Sequence, residues 1–397
     1  MAKVITWQVK PNFVKQYQAG YPLIRRDTIA QGADSAEEGS IVHLQDEQGS
    51  FIAKGYCGMQ NKGIGWVLTN KEGEKIDFLF FKQKILAAIN KRQGFYHDEN
   101  TDAFRIFNGE GDGIGGLQID YYAGFYLISW YSEGIFRFKD QVIRVLDELG
   151  DYRGIYEKKR FDTKGSYIED DDFVKGERGE FPLLVMENGI HYAVYLNDGA
   201  MTGIFLDQRE VRKAIRDKYA KGKHVLNTFS YTGAFSVAAA LGGAEKTTSV
   251  DLAKRSKNKT IEQFSVNGID FEQQDIHVMD VFDYFKYARR KGLSFDMVVL
   301  DPPSFARSKK RTFSTAKDYP ALIEDALSVT ANGMLVISTN NASFGMKKLK
   351  SFVDKGFRDA GASFHILEQF SLPPDFQTSK DYPPSNYLKV LVVKRTS

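Results

Sequence analysis

The chain has 397 residues, 42% of them hydrophobic and 26% charged, and a formal net charge of +3. This is the composition of a folded protein, too long for one compact core, so two or three domains are expected. The near-balanced charge excludes a strong global pull toward nucleic acid, so any such attraction is local. Cys57 stands alone, which excludes an internal disulfide, and no apolar run reaches membrane-spanning length. The start, "MAKVITWQVK", lacks the apolar stretch of a secretory signal, and a cytoplasmic protein is expected.

Residues 1–72 read as a small β-rich module. "PNFVKQYQAGYPLIRR" predicts a helix and a tight turn, and "GSIVHLQDEQGSFIAKGY" predicts a hairpin around "DEQG". Residues 73–190 mix element types. "FLFFKQKILAAINKRQGF" has apolar residues at helical spacing, and "FKDQVIRVLDELG" is an amphipathic helix ended by glycine. "NGEGDGIGG" lacks the Gly-Lys-Ser/Thr ending of a phosphate loop and reads as a tight turn between strands. Residues 191–397 alternate strand-like runs ("HVLNTF", "KTTSVD", "FEQQDI", "FDMVVLD", "GMLVIST") with helical patterns, predicting an open parallel sheet covered by helices. The last two runs, "SFHILEQFS" and "YLKVLVVK", have no helix between them and are expected to pair as an antiparallel hairpin.

Ligands of open α/β sheets bind beyond the carboxyl ends of the strands. After the first run comes "SYTGAFS", where Gly233 lets backbone approach a ligand. The second ends in Asp251, placed to hold two ribose hydroxyls. The third is followed by Asp280, able to accept from an adenine amine, with Val281 and Phe282 able to line the ring. Each acid alone also suits an ordinary helix cap. One glycine and no cation do not make a dinucleotide fingerprint. A nucleoside without phosphates fits better, and S-adenosylmethionine (SAM) is the common one. The scattered histidines show no metal-ligand spacing, and no metal is expected.

The fourth run ends in "LDPPSFARSKKR". Pro302 and Pro303 fix the turn and donate no N–H, so their carbonyls and Asp301 form an acceptor-rich rim for a nucleobase, on which Phe305 could stack. Arg307, Lys309, Lys310 and Arg311 follow on the same loop, and Lys347, Lys348 and Lys350 follow the fifth strand, where they would meet phosphates. Such a run is otherwise a solvated loop.

"VLNTFSYTGAFSVAAALGGAEKTTSVD", "GIFLDQREVR" and "LDPPSFARSKK" together resemble the bacterial SAM-dependent 23S ribosomal RNA methyltransferases that carry an N-terminal PUA domain. The likeness extends to "FRIFNGEGDGIGGLQIDYY" and, weakly, to residues 1–72. It implies an α/β class I methyltransferase domain with a Rossmann-like sheet over 191–397. A PUA-like β-barrel for RNA over 1–72 and a central α+β domain over 73–190 would precede it. It further implies that Asn227, Phe229, Tyr231, Thr232 and Gly233 form the SAM loop, with Asp251 on the ribose and Asp280 on the adenine. Asp207, Gln208 and Arg209 of "FLDQR" would cover the cofactor, and Asp301, Pro302 and Phe305 would face the base of an RNA, in a homodimer.

Two departures from the family pattern matter. The cytosine-C5 relatives carry a cysteine just after the fifth strand, because C5 attack needs a thiolate at C6. Here that stretch reads "VISTNNASF", with Asn340 and Asn341, and is more like the guanine-N7 methyltransferase domain. Met201 stands where relatives usually have lysine. Direct methylation of a base nitrogen is therefore the expected chemistry. The alternatives are a cytosine-C5 enzyme by family analogy, a catalytically silent RNA-binding assembly factor, and a small-molecule methyltransferase.

Overall fold

A computed structural model describes residues 5–60, 63–161, 172–199, 201–307, 312–330 and 332–396. By packing the chain divides into two compact units. One takes in residues 1–183, 195–202 and 374–385, the other 184–194, 203–373 and 386–397.

The first unit holds two sheets. A six-stranded sheet runs Leu23–Arg25, Gly63–Thr69, Phe51–Gln60, Ile41–Gln45, Ile5–Val9, Ile29–Gln31. The predicted hairpin is there, as Ile41–Gln45 pairs antiparallel with Phe51–Gln60. A five-stranded sheet runs Phe173–Gly176, Gly154–Lys159, Phe125–Trp130, Leu117–Tyr122, Ala103–Asn108. The three predicted helices form at Pro11–Gln18, at Phe78–Asn90, capped by Asp77, and at Lys139–Leu149, ended by left-handed Gly150. Tyr56, Trp66 and Leu68 of the first sheet share one core with Phe81, Ile106, Ile119 and Val142.

The glycine-rich stretch is indeed a turn between the antiparallel strands Ala103–Asn108 and Leu117–Tyr122. Its glycines answer to crowding. A Cβ on Gly111 would run into the Gln377 carbonyl, and one on Gly115 into the Trp66 ring. Two buried arginines hold this region. Arg92 pairs with Asp112 at 2.6 Å and donates to the Asp375 carbonyl, while Arg105 pairs with Asp120 at 2.7 Å. Asp375 also accepts from the Arg105 amide at 2.9 Å.

The second unit is built on one seven-stranded sheet. In chain order the strands of that sheet and the helices between them are β1 His224–Thr228, α1 Ala234–Leu241, β2 Lys246–Asp251, α2 Lys254–Ser265, β3 Asp275–Val278, α3 Val281–Arg290, β4 Met297–Leu300, α4 Thr315–Leu327, β5 Met334–Thr339, α5 Met346–Asp359, β6 Phe364–Phe370 and β7 Lys389–Arg395. The order is β3-β2-β1-β4-β5-β7-β6. The first five are parallel, and β7 enters antiparallel between β5 and β6, as the predicted hairpin requires. Both faces are covered, which explains the unbroken apolar runs "MVVL" and "MLVI". Leu226, Val298, Leu300, Leu335 and Ile337 face α3, α4 and α5. Val225, Met297, Val299, Met334 and Val336 face Val211, Ile215 and Phe235 on the other side.

One strand is displaced from its predicted place. Phe271–Gln273 of "FEQQDI" forms a 3-10 turn, and β3 begins only at Asp275. Asp270 accepts from the Glu272 amide at 3.0 Å and from the Gln273 side chain at 2.9 Å, and this local bonding offers the backbone an alternative to the ladder. Among the described residues no helix is long and apolar enough to cross a membrane.

Candidate active site

The sheet order reverses between β1 and β4, so a crevice is expected at their carboxyl ends. Side chains alternate faces along a strand. On the face covered by Val211 and Ile215, β4 presents Met297 and Val299, and β5 presents Met334 and Val336. Val299 is registered with Val336, so one pleat further Asp301 stands beside Ser338. Asn227 of β1 lies in the Val299 row. An apolar face thus turns polar in its last two rows.

Over that row lies the turn Leu206–Gln208. The Gln208 Nε2 donates to Ser338 Oγ at 2.7 Å, and both side chains stand beside the Asp301 carboxyl and favour its charged form. Burial pushes Asp301 up to about 6, helped by the nearby charge of Asp207, while Ser338, the Arg212 guanidinium and Gln208 pull the other way. Such a carboxyl is mostly ionised at neutral pH and close to accepting a proton. Arg212 is itself wholly buried. It grips Glu187 through Nε and Nη2, both at 2.7 Å, and Nη2 also donates to the Phe205 carbonyl at 2.7 Å. That pair anchors the turn bearing Asp207 and Gln208. Asp207 accepts from the Tyr387 hydroxyl at 2.9 Å, and Arg209 is buried, with Nε 3.6 Å from Glu210.

The loop after β1 is unusually bent. Phe229 and Tyr231 have φ of 54° and 52°, a left-handed conformation uncommon for bulky residues and often found at ligand clamps. Gly233 follows at φ 81°, where a Cβ would press on Thr260 at 2.6 Å. Asp251 holds this shape. Its Oδ2 accepts from the Tyr231 amide at 2.9 Å and its Oδ1 from the Ala253 amide at 2.8 Å. Each oxygen keeps a further lone pair for a hydroxyl. Thr232 ties the loop to the Gly203 carbonyl at 2.7 Å. Asn227 donates to Ser236 at 3.0 Å, and its Oδ1 is buried without a partner. A buried acceptor of that kind suits a ligand rich in ammonium, amine and hydroxyl donors, as SAM is.

Asp280 caps α3, its Oδ1 accepting from the Phe282 and Asp283 amides at 3.0 and 3.3 Å. Val281 and Phe282 are buried behind it, and Phe229, Phe282 and Phe313 form an aromatic cluster with centroids 5.7–6.5 Å apart. Pro302 is buried, whereas Phe305 is 62% exposed on the short strand Phe305–Arg307. Arg307 is exposed; Lys309, Lys310 and Arg311 lie outside the described residues. Past β5, Ser304 donates to Asn340 Oδ1 at 2.7 Å, and Asn341 donates to Thr315 at 2.9 Å. Lys389 underpins this loop from below, donating to the carbonyls of Asn341 and Phe344 at 2.7 and 2.9 Å; burial pulls its ammonium down to about 8.

Asp301, Gln208 and Ser338 are thus brought together, and Asp251 is joined to the Tyr231 loop. Ser338, Arg212, Glu187 and Lys389 escaped sequence reasoning. The signal for Ser338 was present in "MLVIST": a polar residue in phase with Val336 at the end of an apolar run. The one thiol of the chain is chemically quiet. Cys57 is buried in the first unit's six-stranded sheet and burial, with Glu38 nearby, pushes it up to about 11.

A sheet of this order with acids and a bent loop at its carboxyl edge defines a class I methyltransferase fold. Comparison bears this out: residues 117–394 match the S-adenosylmethionine-dependent methyltransferase family and residues 8–70 match a PUA-like domain. The chain belongs to that methyltransferase family. It is 59% identical to a Bacillus subtilis (strain 168) protein with the provisional name ribosomal RNA large subunit methyltransferase YwbD, covering 98% of each chain. It is 31% identical to ribosomal RNA large subunit methyltransferase I of Aeromonas hydrophila subsp. hydrophila, covering 94% of this chain and 95% of that one. Among solved structures, SMU.776, described provisionally as a methyltransferase and complexed with SAH, superposes with a TM-score of 0.89 at 39% identity, covering 98% of this chain and 99% of that one.

Proposed function

We propose that this chain methylates a nitrogen of a base in large-subunit ribosomal RNA, drawing the methyl group from SAM. The observation that carries the choice of nitrogen is the polar rim itself. It offers a carboxylate, hydroxyls and amides but no thiol, and Cys57 is held protonated by burial. A C5 route lacks its nucleophile. A ring nitrogen needs only alignment with the methyl carbon and sulfur. Its lone pair forms the new N–C bond, the C–S bond breaks, and the bond pair stays on sulfur. The positive charge of the sulfonium passes to the base. A guanine N7 has no proton to lose, and Asp301 would offset the charge left on the ring. An exocyclic amine would surrender its proton to the same carboxylate.

Asn227, Asp251 and Asp280, with the loop Phe229–Gly233, would hold the methyl donor. Phe305 would stack on the base, and Arg307 with the PUA-like module would take the surrounding RNA. The names of the relatives support the rRNA reading, and with it a cytoplasmic place of work. The homodimer implied by family resemblance is checked by sedimentation. The decisive test uses 23S rRNA from a strain lacking the gene, purified protein and SAM labelled in the methyl group. Nucleoside mass spectrometry is expected to find the label on a base nitrogen. Label on C5 of cytosine would overturn the nitrogen reading, and no transfer to naked or subunit-bound rRNA would overturn the enzymatic one.

A further inference from the structure

Two buried polar side chains beside Asp301 have no evident structural task. Ser338 is 0% and Gln208 4% exposed, and they close an otherwise apolar face of the sheet. Valine or methionine, which fill the same face one and two rows below, would cover it at no cost in desolvated polar groups. The orientation of Gln208 is more telling. Its amide nitrogen points into the row, to Ser338, while its Oε1 is buried with no hydrogen-bond partner. Leaving a buried acceptor unmade costs about 1–3 kcal/mol. The side chain is therefore arranged for what its N–H groups do. The Arg212–Glu187 pair, bonded to the Phe205 carbonyl, fixes the turn from which it reaches.

We propose that Gln208 and Ser338 are positioning residues: they hold one side of the Asp301 carboxylate so that its remaining lone pairs face the base. The geometry runs in one direction. Gln208 donates to the Ser338 oxygen, which frees the Ser338 hydroxyl hydrogen for Asp301, and donors aligned in series strengthen one another. The carboxylate is thereby kept both oriented and ionised in a site whose burial favours the neutral acid. This deepens the proposed function and rests on its assignment of Asp301.

The test follows methyl transfer to rRNA across pH 5–9 for the wild type, Ser338→Ala, Ser338→Thr, Gln208→Met and Asp301→Asn, with SAM affinity measured separately by calorimetry. Removing a hydrogen bond to the charged form raises a carboxyl's pKa. Ser338→Ala is expected to move the acid limb of the profile up by about one pH unit and to lower turnover about tenfold. SAM affinity should stay within about twofold. Ser338→Thr restores the hydroxyl and should restore the profile, which a merely structural defect would not do. Gln208→Met should shift the limb in the same direction by less. An unchanged profile in Ser338→Ala, beside an inactive Asp301→Asn, would overturn the positioning role alone. So would a loss of SAM affinity that matches the loss of turnover. Full activity in Asp301→Asn would sink the assignment of Asp301 and this inference with it.

Discussion

Glu110, in the glycine-rich turn of the first unit, and Asp301, at the tip of β4 in the second, make an instructive pair. Burial pushes each carboxyl up to about 6. Around Glu110 the opposing influences are its own backbone N–H and the charge of Arg105. Around Asp301 stand two side-chain donors, a second acid and a buried arginine, delivered by two separate pieces of chain. The same displacement thus arises once from enclosure in a tight turn and once inside an assembled polar row. A shifted carboxyl marks a place where charge is costly; its surroundings tell what the cost is for.

Substitution separates the two. Asp301→Asn should reduce methyl transfer by about 100-fold or more, the scale of a lost acid–base group, in a radiolabel assay. The same change should raise the melting temperature at pH 8. The folded carboxyl holds its proton to a higher pH than the unfolded one, so its contribution is favourable below about 4 and is lost as pH rises through about 6. Above that point the buried charge costs on the order of 2–3 kcal/mol, which the amide does not carry. Next in size, Asp251→Ala should weaken SAM binding by about 10- to 100-fold, since it deletes a charged acceptor and releases the Tyr231 loop. Calorimetry would show it, and an unchanged affinity would remove Asp251 from the donor site. Phe305→Ala should weaken rRNA binding by about tenfold with SAM binding intact, as expected for a lost stacking surface. Smallest in its effect on function is Glu110→Gln. It should leave turnover unchanged and stabilise the fold more at pH 8 than at pH 5, by the same sign of linkage. A Glu110→Gln enzyme as crippled as Asp301→Asn would erase the contrast between the two.

Much of the second unit could be read from its residues. Buried strands announce themselves as short apolar runs between helical patterns, and the absence of a helix between "SFHILEQFS" and "YLKVLVVK" forced an antiparallel return. Asp251 and Asp301 were visible because strand ends are where such sheets bind ligands. Partners distant in sequence were not. Ser338 meets Asp301 only through the register of β4 with β5, and Glu187 meets Arg212 only once the turn at Phe205 has closed. The start of β3 was missed because Phe271 reads as a strand residue while Asp270 had already committed the backbone to a turn.

The segment Pro374–Ser385 interrupts the path from β6 to β7 and packs within the first unit, where Asp375 satisfies both Arg92 and Arg105. A gene cut after codon 183 would encode both N-terminal sheets yet omit that acceptor, leaving the enclosed Arg92 guanidinium and the buried Arg105 amide each short of one partner. Recombination would therefore inherit the two halves jointly, and a graft that borrows only the front of this protein should carry the late dozen residues along with it.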